Sequence, residues 1–201
     1  MNWSILISLI NGLLIGFFAV NANESSVVTR KYSIYYESKK IGNLTAIKTT
    51  NGKNTSYKLE SDVDINLVVN YKIIEKINEE FKDDKLHNST HTRHINSELK
   101  ADNKIVRNGA AYELSHGGKK GGTIKDWIKI TALTIYFKEP LDSQMVYSQN
   151  HQQLVNMKKT ETGKYTLHLP HNKKAYYQYV GGQLKILESE TNFGKVKFVL
   201  D

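Results

Sequence analysis

The chain has 201 residues, 39% hydrophobic and 10% aromatic, enough for a sizeable core in one domain. Its formal charge of +8 comes without a recognition helix or an aromatic RNA-binding platform, which argues against nucleic acid as a partner. Cysteine is absent, so disulfides and a lipid-modified cysteine are excluded and the core alone must hold the fold.

The charge is uneven. Residues 23–98 carry 12 basic and 11 acidic side chains, whereas residues 99–201 carry 16 and 9. The lysines of the second half are scattered, so a solvated basic face is the plainer reading of the excess.

The first 22 residues hold no charged side chain, and Ile5 to Val20 is apolar apart from Ser8, Asn11, Gly12 and Gly16. Val20 and Ala22 are small residues at the −3 and −1 positions of a signal-peptidase site. This pattern predicts a signal peptide over 1–22, a mature chain starting at Asn23, and a soluble product in the periplasm or secreted. The missing Lys or Arg before the run leaves an uncleaved anchor as the alternative. After cleavage no integral span is expected. The remainder, 23–201, reads as one β-rich domain.

The clearest element is 57–74, "YKLESDVDINLVVNYKII". Odd positions such as Leu59, Val63, Ile65 and Leu67 are apolar, while Lys58, Glu60, Asp62 and Asp64 are charged. That is strand periodicity, and the odd phase runs on to Phe81, interrupted by Glu75 and Glu79. A run of this length predicts a bent strand or two strands continuing one another. "ESKKIG" (37–42) and "TNGKN" (50–54) bound an early hairpin, and "KDDK" (82–85) turns the long run onto the next strand.

That next strand contains "HNSTHTRHI" (87–95). On a helix His87, His91 and His94 would share a face. On a strand His87 and His91 share a face but stand about 13 Å apart, at ~3.3 Å per residue, and His94 points the other way. We read them as polar residues on a solvated strand rather than as metal ligands. "DVDIN" (62–66) opens like a calcium loop, but Leu67 and Ile73 occupy the positions where that loop needs Gly and Glu.

Further turn signals are "NGA" (108–110), "HGGKKGG" (116–122), "TETGK" (160–164), "PHNKK" (170–174), "VGGQ" (180–183) and "NFGK" (192–195). "HGGKKGG" lacks the order of a phosphate-binding P-loop and reads as a mobile hairpin loop. The segments between them, "YTLHL" (165–169), "YYQYV" (176–180), "LKILE" (184–188) and "KVKFVL" (195–200), are expected strands. "DWIKITALTIYF" (126–137) is apolar all round. We expect a short helix or turn near 131–137, packed across the sheet with Thr131 as its N-cap, although a buried strand fits the same residues.

No nucleophile elbow, paired-carboxylate pattern or zincin signature occurs. No catalytic, cofactor-binding or metal-binding residue is therefore assigned, no cofactor is expected, and enzymatic activity is not indicated. The tyrosines Tyr32, Tyr35, Tyr36, Tyr136, Tyr176, Tyr177 and Tyr179 either line a ligand cavity or fill the core, and the core is the plainer assignment. Asn23, Asn43, Asn54 and Asn88 each begin a glycosylation sequon, relevant only in a host that glycosylates.

"LTIYFKEP" (133–140), "VYSQN" (146–150), "KYTLHLPHNKKAYYQYVGGQL" (164–184) and "FGKVKFVL" (193–200), with "YSIYY" (32–36) and "KKIG" (39–42) before them, resemble a family of exported bacterial domains of unknown function. The resemblance runs over most of 30–200. It implies an exported β-rich protein and transfers no activity or site residue. The chain departs from the pattern at "KDDK", where a Gly-containing turn is more usual, and in "HGGKKGG".

These readings converge on an all-β protein, a single curved antiparallel sheet or barrel-like roll of nine or ten strands arranged as a meander. The leading functional expectation is an envelope module binding an apolar or amphipathic small molecule on the concave face. The alternative is a structural or protein-interaction domain with a filled core and no ligand. An outer-membrane barrel is disfavoured, because "KVKFVLD" alternates lysine with its apolar residues.

Overall fold

The computed structural model describes residues 25–66, 70–191 and 194–201. The leader 1–22, Val20 and Ala22, the expected first mature residue Asn23, and Leu67 and Val69 of the long run lie outside the described residues.

Among the described residues fourteen strands follow one another: β1 (Ser26–Tyr36), β2 (Lys39–Asn51), β3 (Asn54–Asn66), β4 (Asn70–Lys82), β5 (Lys85–Ile95), β6 (Glu98–Asn108), β7 (Ala111–His116), β8 (Lys119–Ile124), β9 (Gln144–Ser148), β10 (Gln153–Glu161), β11 (Lys164–His168), β12 (Lys174–Val180), β13 (Gln183–Thr191) and β14 (Gly194–Leu200). They form one antiparallel sheet in the order β8-β7-β6-β5-β4-β3-β2-β1-β14-β13-β12-β11-β10-β9. The barrel-like meander is as expected, but the strands outnumber the expected nine or ten. The sheet is not closed, since β8 and β9 are its two edges.

Because strand direction alternates, the turns gather at two ends. We call proximal the end where β1 starts and β14 finishes, and distal the end that carries the β1–β2 turn. The β5–β6, β9–β10 and β11–β12 turns are distal; the β2–β3, β4–β5 and β12–β13 turns are proximal.

The long run 57–81 is neither one bent strand nor two collinear strands. It is the β3–β4 hairpin, with Leu59 opposite Ile77 and Asn66 opposite Asn70. Every pair in this register joins two odd or two even positions, so the odd phase stays inward through the reversal. Leu59, Ile65, Ile77 and Phe81 are buried, whereas Asp62 and Asp64 are exposed. Asp62 lies 3.6 Å from Lys72 across the pair, an exposed contact worth little. The following "KDDK" is a tight turn with Asp83 at φ 49 and Asp84 at φ 57, a left-handed conformation that Asp tolerates better than most residues.

The histidine strand departs from expectation. Between β4 and β5 the register slips so that Glu80 faces Asn88 and Phe81 faces Leu86, leaving His87 as the extra residue of a bulge. The slip changes the phase: Leu86, Ser89 and His91 are buried and His87 is exposed. His87 and His91 therefore do not share a face, and His91, 1% exposed, is an interior residue rather than one on a solvated strand. The "HGGKKGG" segment is a hairpin connection, as expected, but its loop is short. Gly117 and Gly118 make a two-residue turn, and Lys119 to Gly122 belong to edge strand β8.

Between β8 and β9 the chain crosses the concave side, burying Ile128, Leu133, Ile135 and Tyr136. Its helical content is one 3-10 turn, Thr134–Tyr136. The cap position is Leu133 rather than Thr131. Even so, the Thr131 hydroxyl accepts the Thr134 N–H at 3.1 Å, and the Thr134 hydroxyl accepts the Thr131 N–H at 2.9 Å. This reciprocal bonding leaves each backbone donor satisfied, as a buried crossing requires.

The crossing also covers edge strand β9: Tyr147 N–H donates to Ile130 O at 2.9 Å, and Ala132 N–H to Tyr147 O at 2.8 Å. On the opposite wall Leu86 N–H donates to Ile128 O at 2.8 Å, and the Tyr112 hydroxyl donates to Leu86 O at 2.7 Å. Arg30 of β1 donates to the Tyr136 carbonyl and, at 3.3 Å, to that of Phe137. These bonds fasten the segment to the wall as a plug.

Candidate functional site

The plug and the tyrosines fill the middle of the roll. Tyr32, Tyr136, Tyr177 and Tyr179 are buried, and Tyr179 O–H donates to Ile135 O at 2.6 Å while Tyr32 O–H donates to Leu184 O at 3.2 Å. These four are core residues, as the plainer reading had it, whereas Tyr35, Tyr36 and Tyr176 are only partly buried.

Distal to them the roll is not filled. A cavity of about 500 Å³ opens there, with an apolar wall that includes Ile34, Ile41, Ile65, Ile73, Val196 and Phe198. The size falls within the range of about 300–1,000 Å³ common for small-molecule pockets. None of the seven singled-out tyrosines lines it. Its wall is aliphatic because the inward positions of β1, β3 and β4 at this end are Ile and Val. Val63, Ile73, Ile95 and Phe198 line the cavity yet keep partial exposure.

One polar group of the cavity wall is built from β4 and β5. Glu75 Oε1 accepts from Arg93 Nη2 at 2.6 Å and meets His91 Nε2 at 2.7 Å. Asn103 Nδ2 donates to Gln149 O at 3.0 Å and approaches His91 Nδ1 at 3.3 Å, while Asn103 Oδ1 lies 2.6 Å from His116 Nδ1. With Asn103 donating, His91 Nδ1 accepts and its Nε2–H points at Glu75. Burial acts to raise the Glu75 carboxyl, but the Arg93 guanidinium and His91 outweigh it and bring it down to about 2. Glu75 is therefore a carboxylate at neutral pH.

His151, from the β9–β10 turn, and Lys173, from the β11–β12 turn, complete the rim with Arg93. His151 Nδ1 lies 2.9 Å from Ser148 Oγ within its own turn. Burial first, and then the positive charges of Arg93, His171 and Lys173, hold the His151 imidazole below its ordinary value, so it is neutral at pH 7.

A second carboxyl of the same strand has the opposite character. Glu79 is 1% exposed, its Oε2 accepting from Thr131 Oγ1 at 2.7 Å and its Oε1 from Gln149 Nε2. Burial pushes its carboxyl up to about 7, with the hydrogen bonds from Thr131, Gln149 and Ser89 restraining the rise. It does not line the distal cavity and fastens the plug and the β9–β10 turn to β4.

Glu75 and Glu79 are the two residues that interrupt the apolar phase of the 57–81 run, so a charge at an inward position was the available signal for both. Arg93 carried a similar signal once the bulge at His87 is known. His151 and Lys173 sit in turns and carried none. Among the described residues no group of three His, Asp or Glu side chains is arranged to hold a metal ion. Asn43 and Asn54 are exposed, Asn88 is partly exposed and donates to Glu80 at 2.6 Å, and Asn23 lies outside the described residues. "DVDIN" lies at the end of β3.

The fold resembles the crystal structure of a beta-barrel-like protein of the domain of unknown function DUF1849 from Brucella abortus. The TM-score is 0.55 at 8% sequence identity, over 86% of this chain and 94% of that one, a likeness of fold alone. No match is found among curated proteins. Among the described residues no helix is long and apolar enough to cross a membrane. Residues 32–201, nearly the whole sheet, match the model of the domain of unknown function DUF6134, and the chain belongs to that family.

Proposed function

We infer that this protein is an exported, non-enzymatic binding module of the cell envelope that holds an apolar or amphipathic small molecule in the distal cavity. The observation that carries the reading is the cavity wall. Inward-pointing Ile, Val and Phe side chains remain partly exposed around about 500 Å³, although protein interiors ordinarily pack to a density near ~0.75 with few voids. Wetting such a surface costs roughly 25 cal/mol per Å², and an apolar guest relieves that cost. The leader-like pattern of 1–22 supports export, with cleavage after Ala22, a single β-rich domain over 23–201, and a soluble product in the periplasm or outside the cell.

The test is to purify the protein from its native envelope and record native mass spectra, followed by solvent extraction of whatever is bound. A substoichiometric amphiphile is expected. A guest at a hundredfold excess over its Kd adds about 2.7 kcal/mol of stability, which shifts the melting temperature by roughly 5–10 °C for a chain of this size. Protein that is empty as purified and unresponsive to lipids and long-chain acids at that loading would instead favour a structural or protein-interaction domain. Intact mass of the same preparation is expected to place the first residue at Asn23; a full-length mass at the inner membrane would overturn the soluble assignment.

A further inference from the structure

The polar groups of the distal cavity are unequally satisfied. Glu75 Oε1 is shared by Arg93 and His91. Glu190, the other carboxylate of the wall, accepts the Lys174 N–H at 2.9 Å and the Tyr176 hydroxyl at 3.2 Å. Arg93 differs: it donates through Nη2 to Glu75, no other described group accepts from it, and neither its Nε nor its Nη1 is sealed from solvent. Arg93 therefore offers spare donors to the cavity, beside Glu75, whose Oε1 is already shared and whose Oε2 takes no described bond. Arg93 is pre-oriented by Glu75, so fixing it on a ligand costs little side-chain entropy.

Lys173 lines the wall with Arg93, together with the carboxylates of Glu75 and Glu190, and the positive charges of Arg93 and Lys173 both act on His151. Neutral His151 can still offer a hydrogen bond. The aliphatic residues Ile34, Ile41, Ile65 and Ile73 lie in the same cavity.

We propose that the cavity takes a single-chain organic acid, its carboxylate held by the guanidinium of Arg93 and its hydrocarbon chain lying along the aliphatic wall. This rests on the binding reading above and adds the head-group chemistry to it. A planar, two-oxygen acceptor suits the guanidinium fork better than a hydroxyl or a cationic head does.

Binding to the full mature chain is measured by titration calorimetry with palmitate, hexadecanol and hexadecyltrimethylammonium, each below its micelle concentration, with hexadecyl phosphate as a second anion. The expected result is that palmitate binds at least about tenfold more tightly than hexadecanol, the size of effect a charge-assisted hydrogen bond produces. The cation should bind weakest, and Arg93→Gln should remove the preference for palmitate while hexadecanol affinity stays within about threefold. Because Arg93→Gln leaves Glu75 with one partner fewer, the double variant Glu75→Gln/Arg93→Gln is measured as well, and it should show the same loss of preference. Equal affinities for palmitate and hexadecanol, or tighter binding of the cation, would overturn the head-group assignment and leave the binding reading standing. A preference for hexadecyl phosphate over palmitate would overturn the carboxylate in favour of a phosphate monoester. Failure of all four probes to bind would overturn both readings.

Discussion

Glu79 should make this protein less stable as the pH rises from acid to neutral. Its carboxyl sits at about 7 in the fold and near 4.5 in the unfolded chain, so between those values the folded state holds a proton that the unfolded state has lost. Stability falls wherever the native state binds more protons, so Glu79's contribution is complete below pH 4.5, declines to about pH 7, and is flat above. The interval corresponds to about 3 kcal/mol at 1.36 kcal/mol per pH unit. His151 works against it in part of the same window, because a histidine held below its ordinary value gains stability as the pH rises. Glu75, brought down to about 2, loses its contribution as the pH falls from 4.5 through 2. The decisive quantity is therefore the wild type minus Glu79→Gln, which cancels both. Urea unfolding followed by Trp127 fluorescence at half-unit steps from pH 4.5 to 8 gives it. With a slope of about 2 kcal/mol per M, the midpoint difference should drift against the wild type by about 1.5 M across the window. A difference that stays constant with pH, or that moves in favour of the wild type, would show that the Glu79 carboxyl is not held neutral by its surroundings.

Two further outcomes test the geometry of the sheet. Ile65→Asp, which places a charge on the inner face of β3, should cost several kcal/mol or prevent folding, whereas Asp64→Ser on the outer face should stay within about 0.5 kcal/mol; urea midpoints compare them, and equal effects would invert the assignment of faces. Gly42→Ala should destabilise by about 1–3 kcal/mol, because an added Cβ would meet the Asp62 carbonyl and come within 2.8 Å of Val63 Cα; an unchanged melting temperature would show that β2 and β3 part there without cost.

How much of this was legible in the chain differs from element to element. Leu59, Asp62, Asp64, Ile65 and Ile77 told their faces correctly, because a period of two is a direct reading of the pleat. The same period hid the reversal between β3 and β4. A hairpin that pairs odd positions with odd ones keeps the pattern intact, and apart from the paired Asn66 and Asn70 "NLVVN" offers no Gly, Pro or Asp to mark the reversal. The bulge at His87 had no local signal either, since it answers to the packing of Leu86 against the plug, and it moved His91 from the expected surface into the interior. Gly42 of "KKIG", by contrast, needs no side chain because β3 lies against it, which gives that family-like motif a steric reason. The cavity depends on where the plug stops, a property of the assembled roll that no short stretch encodes.

The strand order also bears on how the molecule reaches this state. Along the chain each strand pairs with the next in sequence, except that β8 and β9 are separated by the plug and sit at opposite edges. The first and last strands, β1 and β14, meet in the interior of the sheet, with Tyr32 opposite Leu200 and Asp201 N–H on Lys31 O at 3.0 Å. Two meanders can therefore form from neighbours close in sequence, where closing a loop is cheap, and a single distant pairing joins them. Until β14 is available, β1 presents an open edge with Tyr32 and Ile34 uncovered on that side. A chain lacking β14 would carry that edge as an invitation to pair with other chains, so the arrival of β14 is the step on which escape from aggregation depends.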